Sequence, residues 1–422
     1  MTIWWPLLLG LTAASSIAPS PPSSPLVSPT TVEELRSGLA SHVSTFVLPP
    51  GTHFFDTPVV INSSNVSISG HGPETILDGR GLTRLFTLSA GAQLELSALH
   101  LTRGSSAGEN GGAVLLDAGS RLVLRQVEMT NCSAYEELGA GGDGGAIFAW
   151  KWANVTMLGC TFASITADGQ GGAVSVQSGG GLQAIGCTFQ YCRAQNAGGA
   201  MFVYGGSAAL LLGCAFNACH SASYGGGALA FQDSAQGLVV LGSQFTDCSS
   251  ALGGLTAYAG SCGGGALFCS SVHAVSLANL TFANCTADLY GGAIVYGAAA
   301  GAAEGLVLLT STGDGCASRL QQASGSGGGF LALIQSSCRA VGLRLTGCTS
   351  GAQGGGILAS DAPWDEWDPN PRTLEPRVLE RLRVWDWERE WDEEWGYDRN
   401  WDWDWEWEWE WEWEWEWEWE WE

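Results

Sequence analysis

Lysine is almost missing from this sequence. The 422 residues contain one, Lys151. Charge of either sign is sparse through the body, with 14 charged residues among the 232 from Met129 to Ser360. A nucleic-acid surface needs clustered Lys and Arg, so nucleic acid is excluded as a partner. Metal-ligand spacing is missing as well. The thirteen cysteines include no Cys-x-x-Cys pair, and His53, His100, His220 and His273 show no ligand pattern. No metal and no cofactor are therefore expected. No apolar run reaches the ~20 residues that span a bilayer. Apart from one short segment near the N-terminus, apolar residues do not recur at a 3.6-residue period, which excludes a helical fold.

Glycine is abundant instead, 60 of 422. A Gly-Gly pair followed by an apolar residue begins at Gly111, Gly144, Gly171, Gly198, Gly226, Gly264, Gly291, Gly328 and Gly355. The steps are 33, 27, 27, 28, 38, 27, 37 and 27, a base period of 27 with insertions. An apolar marker, mostly aromatic, follows each pair in most repeats: Met129, Phe162, Phe189, Phe216, Phe245 and Phe282. Three residues later comes Cys132, Cys192, Cys219, Cys248 or Cys285, with Ile165 replacing it once. Cys316 and Cys348 continue the series without the aromatic, and Cys160, Cys187 and Cys214 precede the marker by two. Between markers the pattern alternates with period 2. Short strands broken by Gly/Ser turns fit it. Such a repeat is one rung of a parallel β-solenoid, whose core exists only when rungs stack. A phosphate-binding reading of the glycine pairs fails, because strands rather than a helix follow them and no Lys stands at a fixed offset.

The segments around the repeats also have roles. The N-terminal MTIWWPLLLGLTAASSIAPS has the shape of a secretory signal. Residues 1–18 are expected to be a signal peptide and 19–30 a Pro/Ser linker. Thr31 with Glu34 forms a capping box, and Val32, Leu35 and Leu39 share a helical face. A short helix there would cover the open end of a solenoid spanning residues 31–360. Residues 361–422 are an acidic, Trp-rich low-complexity tail with 24 acidic and 6 basic residues, a net −18. It reads either as a solvated simple repeat or as an aromatic surface-binding segment. Secretion makes Asn62, Asn65, Asn131, Asn154, Asn279 and Asn284 candidate glycosylation sites, since each begins an Asn-x-Ser/Thr sequon.

The GGA[V/I/L] and Phe-x-x-Cys repeats resemble those of the polymorphic outer-membrane protein adhesins, which carry Asn where Cys stands here. The opening stretches LPPGTH and VSISGHGPETILDG resemble the pectin-lyase-like right-handed β-helix superfamily. The resemblance covers about Thr45 to Ser360. It implies an all-β, right-handed parallel β-helix, displayed at or outside the cell surface, with surface glycans or cell-wall polymers as partners. The adhesin family's C-terminal translocator barrel is not recognisable here.

The expected function is therefore non-enzymatic adhesion, glycan binding or cell-wall structure, with a polysaccharide lyase or hydrolase as the alternative. Such enzymes need carboxylates about 5 to 10 Å apart, and none stand in register on neighbouring rungs. Asp143 and Asp168 precede their glycine pairs by different counts, and Asp233 and Asp247 are each alone. No catalytic residue is assigned. Gly70-His71-Gly72 reads as a turn with an exposed His. Arg103, Arg121 and Arg125, near Asp117 and Glu128, read as one dense group of solvated charges. Cys132, Cys160, Cys187, Cys192, Cys214, Cys219, Cys248 and Cys285 form either disulfides or a ladder of buried thiols. Bridges between rungs (Cys192 with Cys219) or inside one rung (Cys187 with Cys192) are both open at this point. The oligomeric state is open too.

Overall fold

The computed structural model describes residues 27–62, 65–137, 141–251, 263–298, 305–319, 327–334, 336–351 and 356–360. The expected signal peptide 1–18 and tail 361–422 lie outside the described residues. The chain divides into units 1–369 and 370–422, and the second falls wholly within that tail. No helix among the described residues is long and apolar enough to cross a membrane.

The described chain is an all-β parallel solenoid with one α-helix, Val32–Ala40. Its strands build three sheets of eleven strands and one of nine. Each full rung passes through sheet A (Gly181–Ile185 in one rung), sheet B (Thr188–Gln190), the narrow sheet D (Arg193–Ala194) and sheet C (Met201–Tyr204), then returns to sheet A one rung higher (Ala208–Leu212). Parallel crossovers of this kind wind right-handed. The expected capping helix is present: Thr31 Oγ1 accepts from the Glu34 amide at 3.2 Å. The Glu34 carboxylate reaches back to Thr30 rather than Thr31. Val32 and Leu35 are buried against the first rung. The solenoid begins inside the expected linker, since Val27 already bridges to Phe46.

Register is strict and fixes the core. Phe162, Phe189, Phe216, Phe245 and Phe282 are successive partners in sheet B. Their rings stack 4.8 to 5.0 Å apart and within 11° of parallel. The next rung has Gly313 at that position, and Phe330 swings in edge-on, 5.4 Å and 85° from Phe282. A Cβ on Gly313 would meet that ring at 2.4 Å.

The glycine pairs are neither a ligand cradle nor one device repeated twice. The first glycine of a pair takes a left-handed conformation, +66° at Gly171 and +67° at Gly198, which costs other residues roughly 1–2 kcal/mol. The second has no room for a side chain. A Cβ on Gly172 would sit 1.9 Å from the Gly199 carbonyl oxygen of the next rung. The pair makes the turn from sheet D into sheet C and brings adjacent rungs' backbones together there.

Two other corners are invariant. From the strand Gln93–Ser97 onward, sheet A passes to sheet B, and sheet B to sheet D, through two residues each time. Gly186-Cys187 and Tyr191-Cys192 show the pattern: a left-handed residue, then a buried inward one. All length variation falls at the sheet D to sheet C and sheet C to sheet A connections.

Candidate functional site

The outer face of sheet C carries two outward positions per strand. The first is a file of mutually packed groups that includes Phe148, Ser175, Phe202 and Ala230. The second follows two residues later, with Gln177, Tyr204 and Gln232 as register partners. Trp150 extends the file below Gln177, because its neighbour Ala149 pairs with Val176. Each aromatic of this second file rests on the one two residues before it: Trp150 on Phe148 at 6.2 Å and Tyr204 on Phe202 at 5.9 Å, both near parallel. Just beyond, Lys151 and Trp152 turn the corner in left-handed conformation. The Trp152 ring lies against Gly179, where a Cβ would meet Cδ1 at 2.6 Å. Trp152 remains 53% exposed and Tyr204 39%. Rung stacking at ~4.8 Å puts Trp150 and Tyr204 about 10 Å apart along the axis.

Carboxylates flank this file. Asp143 ends the connection from sheet D into its rung. Its carboxylate accepts from the Gln170 amide at 2.7 Å and from Gln177 Nε2 at 3.0 Å. Gly169 leaves the space for it, since a Cβ there would meet the carboxylate oxygen. Burial pushes the Asp143 carboxyl above its ordinary range. The bonds from Gln170 and Gln177 oppose this, and the nearby charge of Glu136 adds to it. The Glu136 carboxylate stands close enough to act on Asp143 by its charge, and the Glu136 amide donates to Asp168 Oδ2 at 3.3 Å. Asp233, at the exposed end of its strand, is pushed up the same way by desolvation, against hydrogen bonds from Ser271 and Tyr204. Asp143 and Asp233 stand three rungs apart, about 14 Å along the axis, farther than a hydrolytic carboxyl pair of ~5–10 Å. Flat aromatic faces beside hydrogen-bonding side chains suit a ligand that is apolar on its ring faces and polar at its edges. A carboxyl whose pKa is raised gives up its proton at higher pH than an ordinary one, the direction that suits proton donation.

One expectation about charge changes here. Arg103, Arg121 and Arg125 are not one group. Arg103 turns the sheet B to sheet D corner and pairs with the buried Asp78 through both carboxylate oxygens. Arg125, on the outer face of sheet A, pairs with Glu95 of the preceding rung at 2.8 Å. Arg84 is buried, pairs with Glu109 at 2.9 Å and donates to the carbonyls of Asn110 and Gly111. These pairs hold the first rungs together. His71 of Gly70-His71-Gly72 is exposed beside a 3₁₀ turn. No group of three His, Cys, Asp or Glu among the described residues is placed to hold a metal ion.

The twelve described cysteines are free; Cys262 lies outside the described residues. Ten of them fill two inward columns, while Cys269 lies in the strand Leu267–Val272 and Cys338 begins the strand Cys338–Val341. Cys160, Cys187 and Cys214 stand at the sheet A to sheet B corner. Cys132, Cys192, Cys219, Cys248, Cys285, Cys316 and Cys348 stand at the sheet B to sheet D corner. Cys187 and Cys192 occupy opposite ends of the strand Thr188–Gln190, which rules out a bridge inside the rung. Within the second column each thiol from Cys192 onward donates to a carbonyl one rung below, as Cys219 does to Phe189 at 3.6 Å and Cys285 to Phe245 at 3.5 Å, whereas Cys132 donates to the Thr130 carbonyl of its own rung. Burial raises the Cys132 and Cys269 thiols to about 12 and the Cys219 and Cys248 thiols well above their ordinary value.

All six sequon asparagines are exposed. Asn65, Asn131, Asn279 and Asn284 take left-handed turn conformations, which Asn tolerates well.

Trp150, Gln177 and Tyr204 carry no motif. Aligning the repeats on their glycine pairs places all three at the same position, six residues on, and that column was the available signal.

Residues 59–308 match the family model described as right handed beta helix region. No curated protein matches the sequence. Among solved structures, the catalytic domain of a GH87 alpha-1,3-glucanase in complex with tetrasaccharides is similar at 9% identity. The alignment covers 82% of this chain and 69% of that one, with a TM-score of 0.44. A mannuronic acid specific polysaccharide family 6 lyase from human gut microbiota is similar at 11% identity, 86% and 100% coverage, and a TM-score of 0.39. The A-module of Azotobacter vinelandii mannuronan C-5 epimerase AlgE6 is similar at 11% identity, 79% and 100% coverage, and a TM-score of 0.36.

Proposed function

The chain belongs to the right-handed beta helix family, and from that premise we propose that it is a secreted or cell-surface protein that binds a glycan chain along the outer face of sheet C. The observation that carries this reading is the file Trp150, Gln177, Tyr204 with Trp152 at its side. Pyranose rings stack on exposed aromatic faces, and Gln177 and Tyr204 supply hydrogen-bonding groups to hydroxyls. Attachment to a cell wall or to surface glycans follows from such binding. The test is co-sedimentation and calorimetry against a panel of neutral and uronate polysaccharides. Trp152→Ala and Tyr204→Ala are each expected to weaken binding about tenfold, roughly 1.4 kcal/mol. Unchanged binding in both variants would remove this face from the reading.

One observation favours a second reading, cleavage of the bound chain. Burial raises the Asp143 carboxyl above its ordinary range, the direction a general acid needs, and Glu136 is the nearby carboxylate that could serve as a base. Release of reducing ends or unsaturated products by the full chain, abolished by Asp143→Asn, would establish an enzyme. Binding without turnover across the panel would leave a binding protein.

A further inference from the structure

The outer face of sheet A differs from every other face of the solenoid. Six consecutive strands, from Asn154–Leu158 to Leu306–Leu309, carry no charged residue. Their last outward position forms an in-register file: Leu158, Ile185, Leu212, Leu241, Ala278 and Leu309. A second file alongside it runs Thr156, Gln183, Leu210, Val239, Ser276 and Val307, uncharged and half apolar. Apart from the exposed Gln183 these side chains are partly exposed, as in-register neighbours cover one another's flanks and leave the tips in water. Charge appears only where the band ends, at Arg121, Arg125 and Glu95 below and Arg339 above. Sheet A strands pack on sheet A strands of adjacent rungs, and no other strand or helix among the described residues lies over this face.

Single exposed aliphatics need no explanation, but a contiguous apolar band does. Six strands of four or five residues, at ~4.8 Å per strand and ~3.3 Å per residue, give a flat footprint of about 430 Å². Adding the end strands Arg121–Arg125 and Cys338–Val341 brings it to about 570 Å². Side-chain relief makes the accessible area larger than the footprint, so the face approaches the ~800 Å² per partner of a standard interface. An uncharged centre with charged ends is also the composition of an interface core and rim. A lipid surface fits less well. The band is a flat sheet without aromatic anchors, and the basic residues that would seek anionic headgroups are absent from it.

We infer that the outer face of sheet A binds a second copy of this chain. The two sheets pack face to face, which leaves the outer face of sheet C of each copy open. Sedimentation velocity of the full-length protein at about 10 µM, a concentration that reads a micromolar Kd, is expected to show a dimer. Leu212→Glu combined with Leu241→Glu places like charges at the centre of the band and is expected to shift the protein to monomer, with a loss of affinity of at least a hundredfold. Leu212→Thr combined with Leu241→Thr keeps strand propensity and is expected to weaken the dimer less. Unchanged far-UV circular dichroism and melting in both variants identify the loss as one of association. A wild-type monomer at about 100 µM, or a dimer that persists in the glutamate variant, would overturn the inference. So would flotation of the wild type, but not of the glutamate variant, with phosphatidylcholine vesicles.

Discussion

Replacing Phe216 with alanine tests whether the stacked rings of sheet B hold the rungs together. Phe216 is fully buried and has a parallel ring on each side, 5.0 Å below and 4.8 Å above. Phe→Ala in a core costs about 3–5 kcal/mol, depending on how far the cavity collapses. Collapse is restricted here, because the backbone on both sides is pinned by in-register strands. Stacked aromatic pairs add about 0.5–1.5 kcal/mol each beyond their area, so the upper end of the range, about 5 kcal/mol, is expected. Phe162 provides the internal comparison. It has a ring above at 4.8 Å but Met129 below, so Phe162→Ala loses one stack and is expected to cost about 1 kcal/mol less. Urea unfolding of the full chain gives both values by linear extrapolation. Since solenoid rungs couple mainly to their neighbours, hydrogen exchange in Phe216→Ala should accelerate first around Phe189 and Phe245. A cost below about 2 kcal/mol for Phe216→Ala, or a larger cost for Phe162→Ala, would refute the stacking argument.

Other expectations concern glycine, thiols and protons. Gly172→Ala is expected to separate two rungs, since the new Cβ meets backbone on the neighbouring rung; a loss of at least about 3 kcal/mol in urea unfolding checks it. Native labelling with a thiol reagent should modify Cys338 and Cys348, the partly exposed pair, and reach the ten buried cysteines only after denaturation. Non-reducing peptide mapping should find the column cysteines unpaired. In-register parallel strands hold equivalent Cβ atoms ~4.8 Å apart, against the ~3.8 Å a disulfide prefers. Asp143 has a folded pKa raised above its unfolded value. The native state therefore binds that proton more tightly, and wild-type stability should fall as pH rises from about 4 through the raised pKa. Asp143→Asn should flatten that part of the melting-temperature profile.

Much of the solenoid was legible because its determinants repeat. The return of Gly171-Gly172 as Gly198-Gly199 fixed the period, the alternation of inward residues fixed the strands, and Thr31 with Glu34 fixed the cap. The candidate site was less legible, for geometric reasons. Asp143 and Gln177 lie 34 residues apart. The connection that carries Asp143 varies in length, so sequence offset there does not measure position in space. Asp78 and Arg103 lie 25 residues apart in different rungs, and only the register of sheet B puts their corners together. Trp150 and Trp152 look like isolated aromatics until sheet C places Trp150 on the same face as Tyr204. For the cysteines, the Cα spacing alone fits a disulfide. The parallel direction of the Cβ bonds, which decides against it, appears only once the strands are placed.

The two invariant corners have a practical consequence. Because from Gln93 onward every change of length is absorbed on the two connections that border sheet C, this part of the molecule behaves as a frame with one editable side. A foreign peptide inserted between Gln195 and Asn196, ahead of the Gly198-Gly199 pair, would leave the fixed corners, the ring stack and the thiol column untouched. It would be presented on the rung that carries Tyr204, and inserts in successive rungs would form a row with a spacing set by the backbone. The fold thus offers a ruler-like scaffold for displaying several epitopes or binding loops in a fixed order.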